Sequence, residues 1–365
     1  MKTYTNSELC LIWLDSFIGL EYKHKIELYK YINGKTDLKS LIEKGEDYIK
    51  SRVGEKEFKT LLSSANSVYM DHVINGLNNR ELVAVTLESR DYPESLKNTP
   101  CPPLVLYAKG NVKLLNEKCF SIVGSRKSLP LSIKIAEDFS ERLIEGGFTL
   151  VTGIAEGVDS TVLRTAVQKG SKVISVIAGG IDNVYPKSNF ELLSKVAEVG
   201  LVIAEYPPET VPMRFHFPVR NRIIAALSVG TLIVSGGRKS GTIYTAEYAM
   251  EYGRELFAIP YSVGIPSGVG CNELIKRGAN LVDAPEDILE FFGIKTEKEK
   301  KLELNELEKE IVNALKGGEM HVEKLCQTLN KRVFEITPQL SILEMKKLVY
   351  RSGNVYGLSR GDLEE

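Results

Sequence analysis

From Phe120 onward, short and nearly continuous apolar runs alternate with longer stretches whose apolar residues recur every three or four positions. The runs Phe120–Val123, Phe148–Val151, Lys172–Ile177, Leu201–Ala204, Thr231–Ser235 and Glu255–Ile259 read as strands buried on both faces. The stretches between them read as helices. They close at Gly146-Gly147, Gly170, Gly200 and Gly253, where glycine takes the left-handed conformation that follows a helix. This rhythm predicts a Rossmann-like α/β core, a doubly wound and mostly parallel sheet with right-handed crossovers. Its ligand crevice is expected beyond the carboxyl ends of the strands.

The flanks follow other patterns. Leu9–Phe17, His24–Tyr31 and Leu38–Ile42 carry helix-period apolar positions, with a turn at Asn33-Gly34, so residues 1–77 predict a helical module of SAM-like or helix-hairpin-helix-like kind. A DNA-gripping hairpin usually takes two glycines in its turn. Phe17-Ile18-Gly19-Leu20 supplies one, which favours a packing module. Leu82–Thr86 and Leu104–Tyr107 read as strands that extend the edge of the core sheet. Lys295–Lys309 is mostly charged and reads as linker. Helices are expected at Leu307–Leu315, His321–Leu329 and Glu335–Lys347, then a hairpin turning at Ser352-Gly353-Asn354, the inventory of a winged helix. The third helix is expected to expose Glu335, Gln339, Glu344, Lys346 and Lys347, a mixed charge that suits a protein partner better than a DNA groove. The expected domains are therefore 1–77, a core at 78–294, a linker at 295–306 and a winged helix at 307–365.

At 365 residues with 43% hydrophobic residues, the chain is long enough for several domains and a substantial core. A net charge of −1 excludes a protein coated in basic residues but not a focused basic groove. The five scattered cysteines, with no CxxC pair, read as reduced thiols in a cytoplasm. No run approaches the roughly 20 apolar residues of a membrane span, so no membrane partner is expected. The four histidines show no metal-ligand spacing, and no metal is expected.

Position changes this picture more than composition does. No Asp or Glu occurs between Glu209 and Glu247, so the field there is locally positive. That segment holds Arg220, Asn221 and Arg222 in a first helical turn, then the loop Gly236-Gly237-Arg238-Lys239-Ser240-Gly241-Thr242. Unpaired amides at a helix start, joined by arginines, make an anion site. Three more strand ends carry glycines with hydroxyls or cations. They are Gly124-Ser125-Arg126, Thr152–Asp159 (with Gly153 and Gly157) and Ala178–Asn189 (with Gly179, Gly180, Lys187 and Asn189). Four such loops on one face predict phosphate binding. Arg126, Lys187, Arg220 and Arg222 are the expected cations, with Ser125, Lys239, Ser240, Gly241 and Thr242 as further phosphate partners. Tyr185, Phe190, Phe215 and Phe217 are the candidate stacking platforms, and Asn221 either orients the arginines or caps the helix.

These residues resemble the DNA-processing protein A (DprA/Smf) family between about Leu82 and Asp287. The resemblance rests on Gly124-Ser125-Arg126, Thr152–Asp159, Gly180–Asn189, the Phe-Pro-x-Arg-Asn-Arg-Ile-Ile run Phe217–Ile224, Ser240-Gly241-Thr242, Gly253-Arg254-Glu255 and Asn272-Glu273-Leu274-Ile275. Three places depart from the family pattern. Ser235 stands where Glu is usual, Tyr261 where Gly is usual, and Leu129-Pro130 replaces a Tyr-Gly. The resemblance implies sequence-independent binding of single-stranded DNA and its delivery to RecA recombinase. It also implies homodimers, a role in natural transformation (competence) or recombination, and neither catalysis nor a cofactor.

Two alternatives remain open. The Gly236–Thr242 loop also looks like the phosphate loop of nucleotide phosphoribohydrolases, whose glutamate lies three residues past the threonine. Here Thr245 occupies that place, and Glu247, two residues on, is turned about 200° round the helix. The other alternative is a nucleotide-sensing regulator with a duplex-binding winged helix.

Overall fold

The computed structural model describes residues 2–17, 20–32, 46–294, 304–346 and 348–358. Residues 1–295 form one compact unit and residues 296–365 a second. The expected turns at Gly19 and Asn33-Gly34, the Leu38–Ile42 helix, Lys347 and most of the charged linker lie outside the described residues.

The first unit is built on a sheet of nine strands in the order β1-β2-β6-β5-β4-β3-β7-β8-β9. Their ranges are Val83–Thr86, Val105–Gly110, Cys119–Val123, Thr149–Thr152, Val173–Ile177, Leu201–Ala204, Gly230–Ile233, Glu255–Ala258 and Asn280–Leu281 for β1 to β9. From β6 to β9 every pairing is parallel, whereas β1 and β2 add antiparallel strands beside β6. The predicted strands are present within a residue or two, except that β2 runs three residues past its expected end at Tyr107, and β9, a two-residue strand with no apolar run, is additional.

Alternation along β3 shows how both faces are covered. Phe120 and Ile122 join one core, and Cys119 and Val123 join the other. The first core is closed by helices α7 (Pro130–Glu145), α8 (Val158–Gln168), α9 (Phe190–Val199) and α13 (Pro285–Phe291). The second is closed by α6 (Glu94–Lys97), α10 (His216–Leu227), α11 (Gly241–Glu251) and α12 (Val269–Lys276). Gly147, Gly170 and Gly253 have positive φ and end helices as expected. Gly200 does not. Its need for glycine comes from close approach, since a Cβ there would lie 2.1 Å from the Val173 carbonyl oxygen.

At the N-terminus, α1 (Asn6–Asp15), α2 (Tyr22–Ile32), α3 (Glu46–Val53), α4 (Glu55–Ser64) and α5 (Ser67–Asn79) surround their own core of Cys10, Trp13, Leu14, Leu28, Ile49, Phe58 and Leu61. The Trp13 indole is fully buried and donates to Ser64 Oγ at 3.0 Å. Helix α1 also turns Leu11 and Ile12 toward the sheet core. Asp15 accepts from Lys25 at 3.2 Å and from the Tyr107 hydroxyl of β2 at 2.9 Å, all three being buried, so the module is tied to the sheet by polar bonds as well.

In the second unit, α14 (Glu306–Leu315), α15 (Val322–Leu329) and α16 (Val333–Met345) pack around Ile311, Leu315, Leu325, Ile336, Leu340 and Leu343. Strands β11 (Val349–Ser352) and β12 (Val355–Leu358) form the terminal hairpin, and the short β10 (Met320–His321) pairs with β12. Ser352 pairs with Val355, so the turn holds two residues, Gly353 and Asn354, rather than three.

Candidate nucleic-acid interface

The order of the parallel strands reverses between β3 and β7. Two loops leave adjacent strand ends in opposite directions at such a point and open a crevice. A cleft of about 890 Å³ lies there, walled by Val123–Lys127 at the end of β3, Ser240–Thr242 and Thr245 after β7, and Phe217, Pro218, Arg220, Asn221 and Ile224 of α10. Ala155, Asp159, Tyr185, Pro212 and Arg214 complete the wall.

Each wall has a local cause. Ser240 caps α11, its Oγ accepting from the Thr242 N–H at 3.4 Å and from the Thr242 hydroxyl at 2.9 Å, and the first turn of that helix lines the cleft. Asn221, placed in the second turn of α10 rather than the first turn expected, donates from Nδ2 to the Gly241 carbonyl at 3.0 Å and so joins α10 to the start of α11. Ser125 N–H donates to Ser235 Oγ at 3.2 Å, which gives the departure at Ser235 a structural role. The departure at Tyr261 is also accommodated. Its hydroxyl bonds Ser132 at 2.9 Å and the Val234 carbonyl at 2.8 Å, and its ring fills the space left by Gly268. Leu129 precedes Pro130, which opens α7 at the first helical position.

Four cations line the cleft: Arg126, Lys127, Arg214 and Arg220. The Arg126 guanidinium is exposed and sits 5.1 Å from the centre of the Phe217 ring, and Tyr185 meets Phe217 edge-on at 5.9 Å. Arg220 is only 5% exposed and forms part of the floor. It donates to the Val176 carbonyl and, at 3.2 Å, to Asn221 Oδ1. Burial lowers its pKa to about 10, partly offset by Asp159. Asp159 in turn is raised by burial, with Arg220 opposing the rise. The floor therefore holds a charged arginine short of solvent, a group that gains from an incoming anion.

The expected residues do not all converge. Ser125, Arg126, Arg220, Asn221, Ser240, Gly241, Thr242 and Gly124 line the cleft. Arg222 does not. Two residues from Arg220, and so about 200° round the helix, it turns into the interior, is 5% exposed and pairs with Glu205, whose carboxyl is pushed up by burial despite the arginine. Asn189 is buried and donates to the Ile154 carbonyl at 2.9 Å, bracing one loop on another. Lys187, Phe190 and Lys239 are exposed outside the cleft wall. Gly153, Gly157, Gly179, Gly180 and Gly236 seat loops against loops, so their lack of a side chain serves packing. A Cβ at Gly153, for example, would lie 2.4 Å from Asp159 Oδ2 and 2.6 Å from Arg220 Nη2. Gly237 is half-buried and looser, with the Pro266 carbonyl 3.5 Å from where a Cβ would stand.

Sequence reasoning does not pick out Lys127 and Arg214. Arg214 falls inside the acid-free stretch, but in a proline-spaced loop with no motif to mark it. That loop is fixed by bonds from a loop distant in sequence and by one local bond. Gly180 N–H donates to Thr210 O at 2.8 Å, Asp182 N–H to Pro208 O at 3.0 Å, and Met213 N–H to His216 Nδ1 at 3.2 Å.

The chain thus has a Rossmann-like architecture, a mostly parallel sheet with an acid-poor, cation-lined cleft at its switch point. Comparison with known proteins narrows this. The model of the DNA recombination-mediator protein A family matches residues 83–293, more than half the chain. The DNA processing protein DprA of Bacillus subtilis is 35% identical over 245 residues, covering 67% of this chain and 81% of its own. That of Streptococcus pneumoniae is 40% identical over 201 residues, covering 55% and 71%. The X-ray structure of the Streptococcus pneumoniae protein superposes with a TM-score of 0.67 at 30% identity, covering 79% of this chain and 98% of that one. DNA processing protein A from Helicobacter pylori, solved for its single-stranded DNA binding mode, superposes with a TM-score of 0.53 at 29% identity, covering 57% and 95%. The chain belongs to the DNA recombination-mediator protein A family.

Proposed function

We propose that the cleft binds single-stranded DNA without sequence preference, and that the chain, acting as a homodimer, passes the strand to RecA recombinase without chemistry. The carrying observation is the convergence of Arg126, Lys127, Arg214 and Arg220 on one cleft beside the rings of Phe217 and Tyr185. Cations track phosphates, and rings accept any base by its face at roughly 1–3 kcal/mol each, so the combination is blind to sequence. The single-stranded DNA binding mode of the Helicobacter pylori relative supports this reading, as does the family's description as a recombination mediator. In it, Arg126 and Arg214 take phosphates at the rim and Arg220 takes one at the floor. The α11 start, with Ser240, Gly241 and Thr242, supplies further donors. Lys187, Phe190 and Lys239 meet the strand outside the cleft.

Hydrolysis of a nucleotide is the weaker reading. Thr245 lines the cleft at the place of the expected glutamate, while Glu247 is exposed and absent from the cleft wall. A general acid must come within hydrogen-bond reach, and the carboxylate that lines the cleft, Asp159, is buried beside Arg220. Gel-shift titration of a long oligonucleotide across salt, against duplex competitor and with or without RecA, tests the proposal. Preference for duplex would overturn it, as would release of free base from nucleoside monophosphates.

A further inference from the structure

The cations of the cleft are not neutralised by their neighbours. Arg126, Lys127, Arg214 and Arg220 are set against one carboxylate, Asp159, which leaves the wall three positive charges in excess. Among the described residues no carboxylate pairs with any of the four, whereas Arg222 is paired with Glu205. Arg126, Lys127 and Arg214 are exposed, and Arg220 is buried at the floor. Its guanidinium is held at two of its three nitrogens. Nη1 donates to the Val176 carbonyl and Nε to Asn221 Oδ1 at 3.2 Å, while Nη2 has no acceptor among the described residues. Asn221 ties this group to a second donor. Its Nδ2 bonds the Gly241 carbonyl at 3.0 Å, which sets Arg220 near the start of α11. The Gly241 N–H is the first of the amides that a helix leaves unpaired, and the eleven-residue helix concentrates positive partial charge there.

We propose, given a cleft that binds single strands, that this corner takes a phosphomonoester and so favours the terminal phosphate of a strand over the phosphodiesters within it. The two groups differ in charge and in shape. A phosphodiester has one negative charge, two free oxygens and a sugar on each side. A phosphomonoester has roughly two charges near neutral pH, three free oxygens and one sugar. Attraction to fixed cations grows in proportion to charge, and salt screens it little where the guanidinium is nearly sealed from water. The third oxygen is matched by the donors present, which are Arg220 Nη2, the Gly241 amide and the rim cations. One sugar rather than two has to be accommodated beside the rings of Phe217 and Tyr185. Internal phosphates are left to Arg126 and Arg214 in the open part of the cleft.

The test uses the full chain and short oligonucleotides of one sequence, ending in a hydroxyl, a phosphate or a methylphosphate, with the set made at each end of the strand in turn. A phosphate at one end is expected to tighten binding about tenfold, what one charge-assisted hydrogen bond contributes. The methylphosphate keeps the shape but has a single charge, and should lose most of that gain. Arg220→Gln should erase the gain, and Arg126→Ala should weaken all the oligonucleotides while keeping it. Should Arg220→Gln fail to fold, the methylphosphate on the unaltered chain decides. A nucleoside monophosphate should displace the phosphate-ended strand where the nucleoside does not. Displacement by the monophosphate with strand ends indifferent would assign the same corner to a free nucleotide. Indifferent ends without such displacement would overturn the proposal, as would a methylphosphate that matches the phosphate. A circular single strand has no end, so its binding reports on the cleft reading alone and keeps the two failures apart.

Discussion

Arg80 Nε donates to Asp182 Oδ2 at 2.7 Å, a bond between residues 102 positions apart. The same guanidinium reaches Glu209 at 2.6 Å. Asp182 belongs to the loop that carries Tyr185, and Glu209 to the loop that carries Arg214, so one residue after α5 fastens two walls of the cleft. Exposed ion pairs contribute about 0.2–1 kcal/mol, so the clamp acts on loop position more than on global stability. Arg80→Ala is expected to shift the melting temperature little and to weaken single-strand binding about two- to fivefold, the equivalent of 0.4–1 kcal/mol. Fluorescence anisotropy and a thermal melt check this. A large loss of stability with unchanged affinity would refute it.

Rim cations should be separable from bystanders by their salt dependence. Arg126→Ala and Arg214→Ala are each expected to weaken binding alike on all sequences. Each should reduce the slope of log affinity against log salt by about 0.7 per lost phosphate contact. Binding isotherms on homopolymers at several salt concentrations provide the measurement, and an unchanged slope in both variants would remove these residues from the site.

Arg220 and Arg222 should behave differently although they are two residues apart. Removing Arg222 strands the buried Glu205 carboxylate, whose Oε2 already lacks a partner. Arg222→Ala is therefore expected to cost about 3–5 kcal/mol in denaturant unfolding, with normal DNA affinity in the folded fraction. Replacing both partners by apolar residues, as in Glu205→Leu with Arg222→Met, should recover most of that loss. Arg220→Ala, by contrast, should lose affinity.

The fourth prediction concerns pH. Burial lowers the His216 pKa, hydrogen bonding to the Ala178 backbone offsetting part of this. Its Nδ1 accepts from Met213 N–H, which a protonated ring cannot do. Between the lowered folded value and the ordinary value near 6.5, the unfolded chain binds the proton and the folded chain does not. Stability is therefore full above about 6.5 and declines as pH falls through that range. Hydrogen exchange of the 211–216 loop should quicken below that point, and His216→Gln should lack the inflection.

The sheet was legible in the sequence because parallel strands buried on both faces leave continuous apolar runs, and helix-closing glycines mark the gaps. β9 was not, since Asn280–Leu281 is two residues long with no apolar run and is held to β8 by backbone pairing and by the Asn280 side chain on the Leu256 carbonyl. In the site, Arg126 was legible as a cation just past a strand end. Arg220 and Arg222 were expected in a first helical turn but lie in the second turn of α10, which begins at His216, and the sequence does not say which of the two turns inward. Arg214 was hidden because the place of its loop depends on bonds from Gly180 and Asp182, about thirty positions away in sequence. On α16, Glu344 is exposed as expected, whereas Gln339 and Lys346 are engaged by Asn305 and Glu308, contacts that spacing along the helix does not reveal.

The glycine contacts around the cleft carry a consequence for redesign. A Cβ at Gly157 would stand 2.4 Å from the Ser125 carbonyl oxygen, and one at Gly180 would stand 2.1 Å from that of Pro208. Each loop thus rests on the main chain of another, with no side chain between to absorb a misfit. Grafting a single loop from a homologue will fail unless its neighbour travels with it, so the rim can be exchanged only as a set.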